Sequence, residues 1–186
     1  MVRTRVGYAG GTTPHPTYTN IGDHAEAIEI EYDPAVIGYQ DLLGIFWQAH
    51  DPNYRSYTRQ YRGVILWSGD EQRRLAEKSA PRGAATAIEP LVSFTPAEDY
   101  HQKYYLRSSA EIASAFHRIY PNERDFAAST AAARVNGYLG GHGGPERLAE
   151  EAENLGLTGA ARAELERIVG KMHPSETCVA PLRTVR

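Results

Sequence analysis

From His24 onward the chain alternates strictly: Glu26, Ile28, Ile30 and Tyr32 fall on one side of an extended backbone, Ala27, Glu29 and Glu31 on the other. This predicts a strand, ended by Asp33-Pro34, whose Glu26, Ile28, Ile30 and Tyr32 face is buried. Upstream, residues 3–9 read as a strand that stops at Gly10-Gly11, and residues 12–20, with Pro14 and Pro16 and no apolar period, read as a surface loop. Tyr39, Leu42, Leu43, Phe46 and His50 then recur at helical spacing until Asp51-Pro52, which predicts an amphipathic helix. Residues 62–67 form a nearly continuous apolar run suited to a buried strand. Next to it, Ser68 and Glu71 have the spacing of a capping box opening a charged helix to about Ser79. A further strand is expected over residues 86–89, extending toward Phe94. Thr95-Pro96-Ala97-Glu98 combines a cap, a first-turn proline and a capping glutamate, and so predicts a helix through about Arg107.

Beyond that point the pattern changes character. Residues 111–119, 123–139, 145–155 and 159–172 are rich in Ala, Glu and Arg with helical spacing, as in Leu165, Ile168, Val169 and Met172. Strands confined to the first half predict an α+β fold: a core over 1–107, a helical extension over 108–173 hinged at the glycine run 140–144, and an irregular tail over 174–186.

Composition narrows the function classes. The 186 residues carry 20 Lys and Arg against 23 Asp and Glu, a formal net charge of −3, and neither sign gathers into a block, so nucleic acid and anionic lipid are not expected partners. No apolar stretch approaches the ~20 residues of a membrane span, and Met1-Val2-Arg3-Thr4-Arg5 opens no signal-peptide core. The expectation is a soluble cytoplasmic protein. One cysteine, Cys178, excludes an intramolecular disulfide and a Cys-rich zinc site within these residues.

Among candidate site residues, Glu26 is the most informative. Its parity places a carboxyl on the apolar face, where desolvation keeps a proton on the acid as general-acid chemistry requires; the alternative is a solvated residue at a frayed strand end. His101, three residues after Glu98, makes half of a paired Glu-x-x-His arrangement, but no second copy exists, so a helix-surface histidine is the expectation and no metal is implied. The run 140–144 lacks the phosphate-loop and dinucleotide fingerprints, and no cofactor is implied.

Several blocks together carry a resemblance: Val6-Gly7-Tyr8-Ala9-Gly10-Gly11-Thr12-Thr13-Pro14, Pro16-Thr17-Tyr18, Gly22-Asp23-His24-Ala25-Glu26-Ala27, Phe46-Trp47 with His50-Asp51-Pro52, Gln60-Tyr61-Arg62 and Ala97-Glu98-Asp99-Tyr100-His101-Gln102. In this order, over residues 2 to about 107, they resemble methionine sulfoxide reductase A. The resemblance implies a two-layer α/β sandwich with a ferredoxin-like core. It also implies reduction of methionine-S-sulfoxide, free or in peptides, with electrons from thioredoxin or a similar dithiol. Tyr18 and Tyr61 match the tyrosines whose hydroxyls donate to the sulfoxide oxygen, Glu26 matches the general acid, and Tyr8 reads as structural.

The chemistry needs a thiolate at a helix N-terminus that attacks sulfur and becomes a sulfenic acid. In the family this cysteine lies in a Gly-Cys-Phe-Trp motif preceding the segment that matches Val2. That nucleophile, an aromatic methyl pocket and the family's first strand are therefore expected to be absent from these residues, with Met1 a start assigned too far downstream and an open sheet edge left behind. The loop between Pro52 and Gln60 is shorter than the family's, and an aspartate that helps hold substrate has no counterpart there. Cys178 reads either as an exposed tail thiol or as a resolving cysteine. Two rivals stand beside the reductase: a catalytically dead module that binds oxidised methionine through Tyr18, Glu26 and Tyr61, and an interaction scaffold built on the helical extension.

Overall fold

A computed structural model describes residues 2–173, and Cys178 and the tail from 174 lie outside them. Two compact units divide the chain, Met1–Gln102 and Lys103–Arg186. Among the described residues every strand falls in the first, so the mixed α/β class is borne out.

In the first unit β1 (Arg3–Ala9) runs antiparallel to β2 (Ala25–Glu31), with Tyr8 opposite Glu26 and Val6 opposite Ile28. The other edge of β1 receives the short β5 (Phe94–Pro96), also antiparallel. Gly7 permits that approach, because a Cβ there would collide with the Thr95 carbonyl oxygen and the Phe94 ring. A separate two-stranded sheet pairs β3 (Val64–Trp67) with β4 (Ala87–Pro90) in parallel. α1 (Tyr39–Gln48) and α2 (Asp70–Ser79) pack on that sheet through Leu43, Ile65 and Ala76. Arg62 clamps Glu89 with both guanidinium nitrogens, at 2.6 and 2.7 Å, and donates to the Gly10 carbonyl at 3.0 Å, tying the β3–β4 sheet to the end of β1.

Several expectations are corrected. The face bearing Glu26, Ile28, Ile30 and Tyr32 is not buried: Ile28 is 59% exposed and Glu26 is exposed, because β2 borders an open cleft rather than a filled core. α2 begins one residue after Gly69, and Ser68 is not its cap; the Ser68 N–H and hydroxyl instead donate to the Gln72 side chain at 2.9 and 3.2 Å. Thr95 and Pro96 belong to β5 rather than to a helix start. The chain then makes only a 3₁₀ turn (Asp99–His101) before α3 (Tyr104–Arg107). Pairing with β1 takes those residues, and a local capping pattern does not outweigh it.

The second unit holds α3, α4 (Ala110–Ile119), α5 (Glu123–Ala128), α6 (Thr130–Leu139), α7 (Pro145–Glu151), a 3₁₀ turn (Ala152–Leu155) and α8 (Gly159–Met172). The continuous helix expected over 123–139 is interrupted at Ser129, which ends α5 and caps α6. Its core gathers Leu106, Ile112, Phe116, Phe126, Val135, Leu148, Leu165 and Val169 around one centre.

Candidate functional site

The site grows from the β1–β2 pair. The loop between these strands is pinned at its base by Asp23, whose carboxylate accepts the backbone N–H groups of Thr12 and Thr13 at 2.9 Å and both threonine hydroxyls at 3.0 and 2.8 Å. These donors, the Thr13 amide first, hold the Asp23 carboxyl well below the usual carboxylate range. Gly22, at φ +63°, lets the chain turn tightly against Thr13 just before Asp23. His24 is buried beside it, its Nε2 2.9 Å from the Thr13 carbonyl oxygen.

Tyr18 sits at the far side of this loop. Its backbone N–H donates to Glu98 Oε1 at 3.0 Å, and its ring lies 4.7 Å from that of His101, which in turn contacts Tyr100 at 4.2 Å. Glu98 is anchored by Tyr8, a phenol only 2% exposed, whose hydroxyl donates to Glu98 Oε2 at 2.7 Å. Burial pushes the Tyr8 phenol far up, and the Glu98 carboxylate adds to it, with Tyr100 and Glu26 contributing less. Burial also pushes Glu98 up, but the Tyr18 amide and the Tyr8 hydroxyl outweigh it and leave the carboxyl below its ordinary range. Tyr8 thus lies within electrostatic reach of both Glu98 and Glu26, and this links the Tyr18 loop to the start of β2.

Glu26 opens β2 and is stitched to the segment before β3. Its N–H donates to the Gln60 carbonyl at 3.0 Å, and Gln60 Nε2 donates back to Glu26 Oε1 at 2.7 Å. Tyr61 follows Gln60 directly and lines the same cleft as Glu26. Tyr18 and Tyr61 are 45% and 59% exposed, and neither hydroxyl has a hydrogen-bond partner among the described residues. The structure therefore joins Glu26 to the Tyr61 segment through Gln60, and to Tyr18 through the Tyr8–Glu98 relay; no direct side-chain bond links the three. No group of three His, Cys, Asp or Glu side chains able to hold a metal occurs among the described residues.

Sequence reading missed three supports: Gln60, the Asp23 cradle and Glu98. Glu98 had a plausible local reading as a capping residue, whereas its partners Tyr8 and Tyr18 lie 90 and 80 positions away.

The sequence profile described as peptide methionine sulfoxide reductase matches residues 1–135. The chain belongs to the peptide methionine sulfoxide reductase family. It is 40% identical to the peptide methionine sulfoxide reductase of Drosophila melanogaster over 171 residues, covering 87% of this chain and 68% of that protein. To peptide methionine sulfoxide reductase A5 of Oryza sativa subsp. japonica it is 38% identical, covering 74% and 59%. Among solved structures it resembles methionine sulfoxide reductase A of Corynebacterium diphtheriae, at 32% identity and a TM-score of 0.52, covering 57% of this chain and 63% of that one. The family assigned from the motifs is borne out. The chain spans about three fifths to two thirds of the length of these relatives.

Proposed function

We propose that the first unit of this peptide methionine sulfoxide reductase binds the S-epimer of methionine sulfoxide, free or in peptides, and directs it toward reduction. The Tyr18 and Tyr61 hydroxyls donate to the sulfoxide oxygen, and Glu26, exposed in the empty cleft, supplies the proton once bound substrate covers it. What supports this reading is that Tyr61 lines the same cleft as Glu26, which the Gln60 stitch holds, and that the exposed Tyr61 and Tyr18 hydroxyls have no hydrogen-bond partner among the described residues. A sulfoxide oxygen accepts two hydroxyl donors, and such bonds strengthen as negative charge builds on that oxygen.

Reduction requires a thiolate to attack sulfur while the oxygen takes a proton, giving methionine and a sulfenic acid. A second thiol then displaces water to form a disulfide, which a thioredoxin-type dithiol reduces. Cys178 is the one thiol within these 186 residues, and the family resemblance offers it the resolving step, with a tail thiol of no role as the alternative. No helix start or cationic cluster is evident in the sequence around it to favour a nucleophilic thiolate. For this polypeptide by itself the reading is therefore binding without turnover.

The test titrates ¹⁵N-labelled chain with a methionine-S-sulfoxide peptide, with the R-epimer as control. The S-epimer should shift the resonances of Tyr18, Glu26 and Tyr61 selectively. Tyr18→Phe and Tyr61→Phe should each weaken binding by about two- to tenfold, the worth of one hydrogen bond. Glu26→Gln should bind within about twofold of the parent, because the amide still fills the site. Equal binding of both epimers, or shifts elsewhere, would remove the assignment. Turnover with dithiothreitol that disappears in Cys178→Ser would make Cys178 the nucleophile and overturn the separation of binding from reduction.

A further inference from the structure

Arg59 stands at the start of the turn that carries Tyr61. The Arg62 N–H closes this turn on the Arg59 carbonyl at 3.3 Å, which places Gln60 and Tyr61 at its two corners. The Gln60 carbonyl accepts the Glu26 N–H at 3.0 Å, and the Arg59 Nε donates to the Asp23 carbonyl, also at 3.0 Å. The backbone of one residue and the side chain of its neighbour thus fix the turn against residues 23–26. The Arg59 guanidinium, although exposed, is held by one nitrogen to the backbone of the Asp23 cradle.

That tether leaves the rest of the fork open. Neither Nη nitrogen of Arg59 has an acceptor among the described residues, and Arg59 forms no ion pair there. In the same unit Arg3, Arg5, Arg62, Arg73 and Arg74 each hold a carboxylate. The acidic groups around the turn are engaged elsewhere: Asp23 by Thr12 and Thr13, Glu26 by Gln60, and both oxygens of Glu89 by Arg62. Arg62 holds Glu89 below its ordinary pKa, and the Arg59 charge adds to this without a bond of its own. Residues 53–61 contain Arg55 and Arg59 and no acidic side chain. Arg55 is exposed as well, but no hydrogen bond holds its side chain among the described residues. A guanidinium fixed at Nε, with both Nη groups unanswered, is preorganised for a carboxylate, which it recognises through two parallel N–H···O bonds.

We propose that Arg59 is a specificity-determining residue, which binds a carboxylate of the substrate next to the oxidised methionine. This rests on the sulfoxide reading above, in which Tyr61, two positions along the same turn, holds the sulfoxide oxygen. The turn is under ~7 Å across, the span of about two extended residues, so a carboxylate on the residue beside the sulfoxide, or the α-carboxylate of the sulfoxide residue itself, lies within reach of Arg59.

The experiment titrates the ¹⁵N-labelled 186-residue chain by NMR with capped tetrapeptides that carry methionine-S-sulfoxide flanked by glutamate, or by glutamine, on its amino or its carboxyl side. A second pair of ligands is N-acetylmethionine-S-sulfoxide as the free acid and as the N-methylamide. At least one carboxylate ligand should bind about three- to fivefold tighter than its amide partner, the worth of a well-aligned exposed ion pair, and the gain should fade as salt is raised. A gain in a glutamate peptide assigns Arg59 to a flanking side chain, and a gain confined to the free acid assigns it to the substrate's own α-carboxylate. In Arg59→Gln the carboxylate-to-amide ratio should fall to about one, whatever change is common to both ligands, and Arg59→Lys should recover only part of it. Arg55→Gln, which removes an untethered charge from the same loop, should keep the ratio. Equal affinity of every carboxylate ligand and its amide partner overturns the proposal while the sulfoxide reading stands. A ratio that survives Arg59→Gln, or that Arg55→Gln lowers as much, overturns it too, because the preference then belongs to the general charge of the loop. Absence of binding by all the ligands at millimolar concentration overturns both readings together.

Discussion

At the scale of single residues, the Tyr8–Glu98–Tyr18 relay joins a buried phenol to an exposed one through a carboxylate. Tyr8 is held on β1 with its ring enclosed, so its hydroxyl direction is fixed, and Glu98 inherits that fixity and passes it to the Tyr18 backbone. Removing the phenolic oxygen leaves a half-buried carboxylate with one donor fewer. Tyr8→Phe should therefore cost about 1–2 kcal/mol of stability, measured by urea unfolding, near the usual penalty for a lost charge-assisted bond. Glu98→Ala should do more locally: the Tyr18 amide, deprived of its acceptor, should exchange with solvent at least about tenfold faster. An unchanged Tyr18 amide would show that the Tyr18–His101 ring contact alone holds the loop. The motifs made Tyr18, Glu26 and Tyr61 legible because a family pattern attaches roles to positions. The relay and the Asp23 cradle were not legible, since their hydrogen bonds span 10 to 90 positions and leave no periodic mark.

Among elements, those whose evidence is local came through best. β1 spans the seven residues expected, and α1 covers the apolar stripe from Tyr39 to Gln48, because in each the signal and the stabilising contacts lie in the same segment. Elements whose fate depends on distant partners did not: Thr95-Pro96 became a strand beside β1, and the Ser68 box lost its serine to Gln72. Ser129 is the instructive case in the helical unit. Its hydroxyl accepts the Ala132 N–H at 3.1 Å while its own N–H closes α5 on the Phe126 carbonyl, so one buried side chain separates two helices that composition alone reads as one. Ser129→Ala should destabilise the second unit by about 1 kcal/mol, the loss expected for an N-cap, with Ser129→Asp recovering part of it. A neutral alanine variant would mean that Asn122, which caps α5 through Arg124 and Asp125, suffices to fix both helices.

Across the whole molecule, acid–base behaviour ties together groups that no single element contains. In the first unit Asp23, Glu89 and Glu98 are held below their ordinary pKa, Glu89 chiefly by Arg62. In the second, Glu151 is lowered by Arg134 and by the Tyr138 hydroxyl, which together outweigh its burial. Groups with a depressed folded-state pKa stabilise the fold above the unfolded value and lose that contribution as pH falls through the folded one, so stability should decline from about pH 5 downward. On the alkaline side the Tyr8 phenol is raised and Tyr138 is pushed up to about 12, chiefly by burial and then by their carboxylate partners. Their folded forms keep protons that the unfolded chain releases, so stability should fall again as pH climbs from about 10 through about 12. Exposed pairs such as Glu71–Arg74 add little and fade with salt. The two limbs can be read separately, because both tryptophans, Trp47 and Trp67, lie in the first unit while most of the helices lie in the second. Asp23→Asn should flatten the acid limb followed by tryptophan fluorescence and leave the far-ultraviolet circular dichroism limb in place. Glu151→Gln should do the reverse, and Tyr138→Phe should flatten only the alkaline limb of the dichroism curve. If Asp23→Asn moved both signals together, the two units would unfold as one cooperative body, and the assignment of each limb to its own carboxylates would fail.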